Sequence, residues 1–484
     1  MPMSAHRSPR IALAERKPLA PTVAAQPPAP ALAFAPALAL ALALGAACAR
    51  VDPESPPPTA VVLIVIDTLR ADALGAYGAG EASTPVMDEL AEGGLLFERC
   101  LAPSSWTWPS TASLMTARNP PEHGLIGRNG SVLSPDLPTL AEAFGAAGWA
   151  TAAFVANPII EPGIGLERGF DVWSGADATW EAAVEPIARA AEWLKTLPED
   201  APYFLYIHIV EPHSPYKPSE ESARVFDLGP ELEVTGKLTV AYHHMMDNKP
   251  YDEELITTFT DWRRTVYAAE TRDADVAVGE ILDLLRGAGR LDRTLVAITS
   301  DHGEEFLEHG LMGHGGQLYP ESVHVPLIMS GPRVPVAERV AERVENRLLG
   351  PTLLRLAGIP GGGLPRADLT DSEERRLRLD EPALLHLGKG VWRDEDGGFE
   401  RSIEQEGLVL DGVVSVRATL ESGVRTGGHG AFGDAVEPEL SLEVRIQRLA
   451  DEFAELERPS TSAPLSEDLA ARLRGLGYSF GEDD

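Results

Sequence analysis

Three apolar runs end in groups that bind metal ions or move protons. Asp67 closes VVLIVID, Asp301 and His302 close TLVAITSDH, and His208, Glu211 and His213 lie at the end of YFLYIHIVEPH. A set of carboxylates and imidazole such as Asp67, Asp301 and His302 suits Zn²⁺ or Mn²⁺, while an all-oxygen set would suit Ca²⁺ or Mg²⁺. Asp-His-Gly after a single strand is weak by itself, because an Asp capping a loop beside a surface His spells the same letters. Three such endings together point to one edge where acidic and imidazole groups meet.

The elements that would carry them are legible. VVLIVI (61–66), TAAFVA (151–156), YFLYIHIV (203–210), TLVAITS (294–300) and VPLIMS (325–330) are unbroken apolar runs, suited to strands buried on both faces. Helical patterns at 84–94, 137–148, 181–197 and 269–289 lie between them. This alternation predicts a doubly wound α/β fold, a mostly parallel central sheet flanked by helices. Such sheets bind ligands at the carboxyl ends of their strands, where the acidic and imidazole groups fall. Beyond residue 360, GIPGGGLP breaks the chain, and short strand patterns and amphipathic helices follow. We expect a smaller C-terminal α+β subdomain over 361–484, beside a catalytic domain over 60–360.

SSWTWPSTASLMTAR (104–118) poses a separate question. Pro109 fits the first position of a helix, with Trp108 extended before it. Thr107 then reads as a helix cap or, near the positive helix end and beside a metal, as a nucleophile. The segment 219–262, with His243 and His244, reads as an insertion, either a lid or a solvated loop.

The net charge of −33 opposes nucleic-acid binding, because phosphate would be repelled. An anionic substrate would need a local positive centre. Residues 31–47 are apolar and follow Arg7, Arg10, Arg16 and Lys17, as in an export signal or N-terminal anchor. LGAAC, ending at Cys48, is close to a lipoprotein box, with Leu44 one place further from the Cys than usual. Residues 1–48 are therefore expected to export or anchor the chain to the cell envelope, and 49–59 to form a Pro-rich tether. Cys100 is expected to be a small core residue, with no internal disulfide.

The motifs VVLIVIDTLRADALGAYG, TPVMDELAEGGLLFERCLAPSS, WTWPSTASLMTAR, HIVEPHSPY and SDHGEEFLEHGLMGHGG, in that order, resemble the sulfatase family of the alkaline-phosphatase superfamily over roughly 60–360. The resemblance implies that Asp67, Asp301 and His302 hold one divalent metal. It implies that Thr107 occupies the nucleophile position and touches the same ion. It puts His213 near the leaving-group oxygen and His314 on the anionic head, with Arg118, His123 and Asn129 lining the pocket.

The sequence departs from that family at its best-known motif, Cys or Ser, any residue, Pro, any residue, Arg. Thr107 replaces the Cys or Ser, and Thr111 the Arg. Oxidation of a threonine cannot give an aldehyde, so no formylglycine is expected. Thr68 stands where a second Asp is frequent. Three readings follow: a metal-dependent hydrolase of sulfuric or phosphoric esters using Thr107, a phosphoethanolamine-type headgroup transferase of the envelope, and a non-catalytic envelope binding protein. The substrate expected is a small-molecule, lipid or glycan ester.

Overall fold

A computed structural model describes residues 55–456, apart from 81–82, 127–131, 177–178, 229–240, 243, 246–248, 380, 389, 394–398, 411–412, 421 and 431–441. The expected signal, Cys48, the start of the tether, Asn129, His243 and the final helical pattern at 465–477 lie outside the described residues.

The main sheet contains β1 (Ala60–Ile66), β2 (Leu95–Leu101), β3 (Ala150–Val155), β4 (Val172–Ser174), β5 (Tyr203–Ile209) and β6 (Thr294–Ser300). A short hairpin follows, β7 (Glu305–Phe306) with β8 (Met312–Gly313), and then β9 (His324–Val325), β10 (Leu327–Ser330) and β11 (Glu338–Glu345) complete the sheet. The strand order is β11-β2-β10-β6-β1-β5-β3-β4, with β9 paired to β2. β1 runs parallel to β5 and β6, and β3 runs parallel to β4 and β5. Only β9 and β10 run antiparallel to their neighbours. The doubly wound, mostly parallel sheet is as the sequence predicts.

Every residue of β1 is buried, as an unbroken β-branched run requires when both faces are covered. Its alternate side chains feed two cores. Val61, Leu63 and Val65 join Leu114, Phe144 and Leu353 on one face. Val62, Ile64 and Ile66 join Met87, Leu194 and Ile281 on the other. The period of two along the strand thus divides one run between two helical layers.

Three expectations are corrected. The helix containing Pro109 starts at Thr107 and runs to Thr116, so Pro109 sits in its third position and Trp108 inside it. The first helical amides have no acceptor in their own helix, so a missing N–H costs nothing at any of them. Ser110 N–H donates to the Trp106 carbonyl at 3.3 Å, one turn back. The pattern at 269–289 is the second half of a helix spanning Glu253–Gly287, capped by the Asp252 side chain, which accepts from Leu255 N–H at 3.0 Å. Part of the presumed insertion is therefore regular. Ile256, Leu255 and Phe259 pack there with Ala241, Tyr242, Met245 and Leu307. Finally, the end of the tether lies against the body: Ser55 O accepts from Arg333 Nε at 3.1 Å, and Thr59 N–H donates to Arg293 O at 3.1 Å.

The C-terminal sheet is antiparallel, with β12 (Ala383–Leu387), β13 (Gly390–Arg393), β14 (Phe399–Leu410), β15 (Val413–Leu420) and β16 (Gly423–Gly430). The helix Leu442–Glu455 covers one face through Leu449 and Phe453. Leu385, Val409 and Val414 on the other face enter the same core as Leu114. The backbone N–H of His386 in β12 donates to Pro103 O at 2.8 Å. The described residues accordingly belong to one compact unit, and the expected boundary at 360 separates two sheets that share a core.

Candidate active site

Asp67 follows β1, and Asp301 and His302 follow the adjacent β6, so the parallel pairing brings all three to one sheet edge. They are fully buried, and one ligand atom from each lies within 4.8 Å of the others. Each carboxylate has one oxygen engaged. Asp67 Oδ2 accepts from Asn157 Nδ2 at 2.5 Å and lies 3.3 Å from His208 Nε2. Asp301 Oδ1 accepts from the amides of His302 at 2.9 Å and Thr68 at 3.3 Å.

The other two oxygens, Asp67 Oδ1 and Asp301 Oδ2, are buried without a hydrogen-bond partner. Leaving such atoms unsatisfied is costly, and a cation between them removes the cost. His302 completes the set. Its Nδ1 donates to the Gly303 carbonyl at 2.9 Å, which leaves the Nε2 lone pair facing Asp67 Oδ1 at 3.8 Å and Asp301 Oδ2 at 3.6 Å. Donor types, orientation and orphaned oxygens all fit a divalent metal.

Thr107 reaches the same point. Its hydroxyl lies 3.2 Å from His302 Nε2 and is 1% exposed. The helix it begins is pinned by Trp108 Nε1, which donates to Ile159 O at 2.9 Å, and by Ser110 Oγ, which donates to Ser104 O at 2.9 Å. Thr111, one turn on and on the same helical face, is also buried, and its hydroxyl is unpartnered.

His314, just beyond β8, and His213, in the loop after β5, bring two further imidazoles. The ring centroids of His302 and His314 are 4.5 Å apart, and those of His314 and His213 are 4.9 Å apart. Burial pushes the His213 imidazole below its usual range, although Asp67 partly offsets this. Burial acts to raise the Asp67 carboxyl, but His213, His208 and His302 overcome it and hold the group well below the usual range. Burial and the facing Asp67 push Asp301 up. Glu304, 4.0 Å from His314 Nδ1 and 3.9 Å from Arg263, is pushed up to about 7 by burial.

Two expected pocket residues point elsewhere. Arg118 follows the far end of the helix begun by Thr107, about 16 Å along by helical rise, and pairs with Glu122 at 3.3 Å. His123 is fully buried with both ring nitrogens engaged. Nδ1 accepts from Leu125 N–H at 3.2 Å, and Nε2 lies 3.1 Å from Pro109 O and 3.0 Å from Ser113 Oγ. It braces the Thr107 helix from behind.

Asn157 and Glu304 were not anticipated. Asn157 lies two residues beyond β3, so the strand-end rule that selected Asp67 would also have reached it. Glu304 sits inside the SDHGEE stretch, where its distance from the metal set depends on the turn.

The Sulfatase family matches residues 59–359. The chain belongs to that family. Among its relatives, the low-salt glycan biosynthesis sulfotransferase Agl7 of Haloferax volcanii is 24% identical over 454 residues, covering 86% of this chain and 96% of the relative. Human (Homo sapiens) iduronate 2-sulfatase is 26% identical over 332 residues, 56% of this chain and 59% of its own length. Arylsulfatase K of Mus musculus is 31% identical over 190 residues, so the match spans about a third of that protein (34%). Among solved structures, the phosphonate monoester hydrolase of Agrobacterium radiobacter shares the fold with a TM-score of 0.60 and 20% identity, covering 83% of this chain and 95% of its own. A protein solved with its substrate D-glucosamine-2-N,6-O-disulfate gives a TM-score of 0.62 at 18% identity, covering 82% and 97%. These structural likenesses show a shared fold.

Proposed function

We propose that this sulfatase-family protein is a metal-dependent hydrolase of sulfuric, phosphoric or phosphonic esters in which Thr107 is the nucleophile. The observation that carries the reading is the meeting of the Thr107 hydroxyl with His302 Nε2 at 3.2 Å, beside the two unpartnered carboxylate oxygens of Asp67 and Asp301. These three ligands would hold the ion, with Zn²⁺ or Mn²⁺ favoured and Ca²⁺ or Mg²⁺ compatible. A divalent ion there supplies charge neutralisation for the anionic head and lowers the pKa of a neighbouring hydroxyl.

The chain's own groups do the rest. Thr107 Oγ1 gives up its proton to solvent and bonds to sulfur or phosphorus as the bond from that atom to the ester oxygen breaks. His213 takes up a proton from solvent and gives it to the departing alcohol, and His314 faces the anionic head. Water then takes the group from Thr107, and the hydroxyl is restored. The helix begun by Thr107 adds its positive end at the anion.

Rates on 4-nitrophenyl sulfate, phosphate and phenylphosphonate identify the anion. Thr107→Ala should abolish turnover of the preferred ester, and mass spectrometry of quenched enzyme should find the added group on Thr107. A rate that survives Thr107→Ala would refute the nucleophile.

A second reading rests on the match to nearly the whole of a sulfotransferase. Here the group on Thr107 passes to an acceptor alcohol of a glycan or lipid instead of to water. Product formed only when acceptor is present would favour it, and release of free anion alone would exclude it. The non-catalytic reading gains no support, since the buried metal set and Thr107 are intact. On either enzymatic reading, an N-terminal signal or lipid anchor would place the enzyme on the envelope, where ester substrates of glycans and lipids occur, and the acidic chain would avoid nucleic acid.

A further inference from the structure

We infer that Trp180 is a positioning residue for His213, holding with its indole face the imidazole that protonates the leaving alcohol. This rests on the role given to His213 above. The two rings stack with centroids 4.3 Å apart and 25° between their planes.

A general acid histidine is ordinarily held by a hydrogen bond to its second ring nitrogen, as a carboxylate holds the imidazole of a catalytic triad. His302 and His208 follow that rule. His302 Nδ1 is bound to Gly303 O at 2.9 Å, and His208 Nδ1 lies 2.7 Å from the Tyr206 hydroxyl. His213 has a weaker hold: its buried Nδ1 makes no hydrogen bond of ordinary geometry, and the Ser214 backbone is the polar group acting on the ring from its own loop. The ring instead stacks on the Trp180 indole and also neighbours the tilted His314 ring, at 4.9 Å and 54°.

Stacking of this kind fixes the plane of a ring but leaves it free to turn within that plane. The backbone supplies the missing restraint, since His213 N–H closes a turn on Val210 O at 2.6 Å. Trp180 is itself anchored at both ends of the chemistry. The next residue, Glu181, donates its N–H to Ala156 O at 3.2 Å, at the end of β3. Ala183 N–H donates to Glu211 Oε1 at 3.0 Å, in the His213 loop. The backbone just after Trp180 is thus tied to the same two strand ends that carry Asn157 and His213.

The test compares two esters of whichever anion the enzyme prefers, one of 4-nitrophenol and one of phenol, in the metal-loaded full chain. Nitrophenolate leaves with little need of a proton, while phenolate needs one, so loss of the acid raises the nitrophenyl-to-phenyl ratio of kcat/KM. His213→Ala calibrates the ratio. Trp180→Ala should raise it by about tenfold, part of the 10²–10⁴ that a placed acid supplies. Trp180→Phe, which keeps an aromatic face, should restore it. Trp180→Leu, which keeps bulk without that face, should behave as Trp180→Ala, and it serves if the alanine variant does not fold. Adding Trp180→Leu to His213→Ala should leave the ratio where His213→Ala sets it. If Trp180→Leu slows both esters equally, Trp180 is only structural and the inference is overturned. If His213→Ala itself leaves the ratio unchanged, the acid role of His213 is what fails.

Discussion

The hydroxyl of Tyr267 donates to the carbonyl of Thr68 at 2.8 Å, and the same oxygen accepts from Arg70 N–H at 2.9 Å. One phenol from the helix Glu253–Gly287 therefore spans the turn after Asp67. Thr68 adopts a left-handed φ of +55°, which costs a side-chain-bearing residue roughly 1–2 kcal/mol. The turn is held in that state from outside. Tyr267→Phe leaves the buried Thr68 carbonyl without that donor and should cost about 1–3 kcal/mol in denaturant unfolding. It should also weaken metal retention, since Asp67 precedes the turn. Unchanged stability and metal content would show that the turn holds itself.

Asn157 fixes one oxygen of Asp67 so that the other faces the metal position. Groups that orient metal ligands in this way are worth about 10–100-fold in affinity. Asn157→Ala should lose that much in competition with a chelator, whereas Asp301→Asn, which removes a ligand, should abolish binding. An Asn157→Ala protein with native affinity would mean that His208 alone orients Asp67.

His123 gives the acid limb of stability. Burial pushes its imidazole down to about 3 from an ordinary 6.5, so the fold accepts only the neutral ring. A group with a depressed folded pKa stabilises the fold above its unfolded pKa and loses that contribution as pH falls from about 6.5 toward 3. His123→Gln, which cannot charge, should flatten the fall in stability over that window while lowering stability at neutral pH. An acid limb of unchanged slope would assign it to other groups.

Glu270 acts in the opposite direction. It is 3% exposed, accepts the Lys217 amide, and is pushed up to about 9 by burial, with Glu211, Asp273 and Glu304 adding to the effect. Its folded pKa exceeds the ordinary 4.5, so stability declines as pH rises from about 4.5 toward 9. Glu270→Gln keeps an acceptor for Lys217 and removes the charge. Its melting temperature should exceed that of the wild type at pH 8, with the advantage shrinking at pH 5. A variant destabilised equally at both values would contradict this.

The sheet and the metal set were legible because both follow from periodicity. Unbroken β-branched runs must be covered on both faces, and parallel pairing then aligns their carboxyl ends, as with Asp67 and Asp301. Pro109 misled because its missing N–H is tolerated throughout the first helical turn, so proline marks a helix start only to within a few residues. The resemblance put His123 and Arg118 at the pocket, but no local pattern shows to which side of the Thr107 helix the chain returns, and His123 lies against the Pro109 carbonyl while Arg118 pairs with Glu122. The tie from Tyr267 to Thr68 joins residues 199 positions apart, and no local pattern encodes it.

The bond between His386 N–H and Pro103 O has a consequence for timing. Pro103 lies four residues before Thr107, and the sheet containing His386 fills the core against which the Thr107 helix packs. A growing chain has Asp67, Asp301 and His302 by residue 302, yet it lacks this support until β12 and its partners have been synthesised. The Thr107 hydroxyl is thereby set in place only after segments far beyond the Asp67, Asp301 and His302 set have emerged, so the site is assembled later than its acidic and imidazole groups.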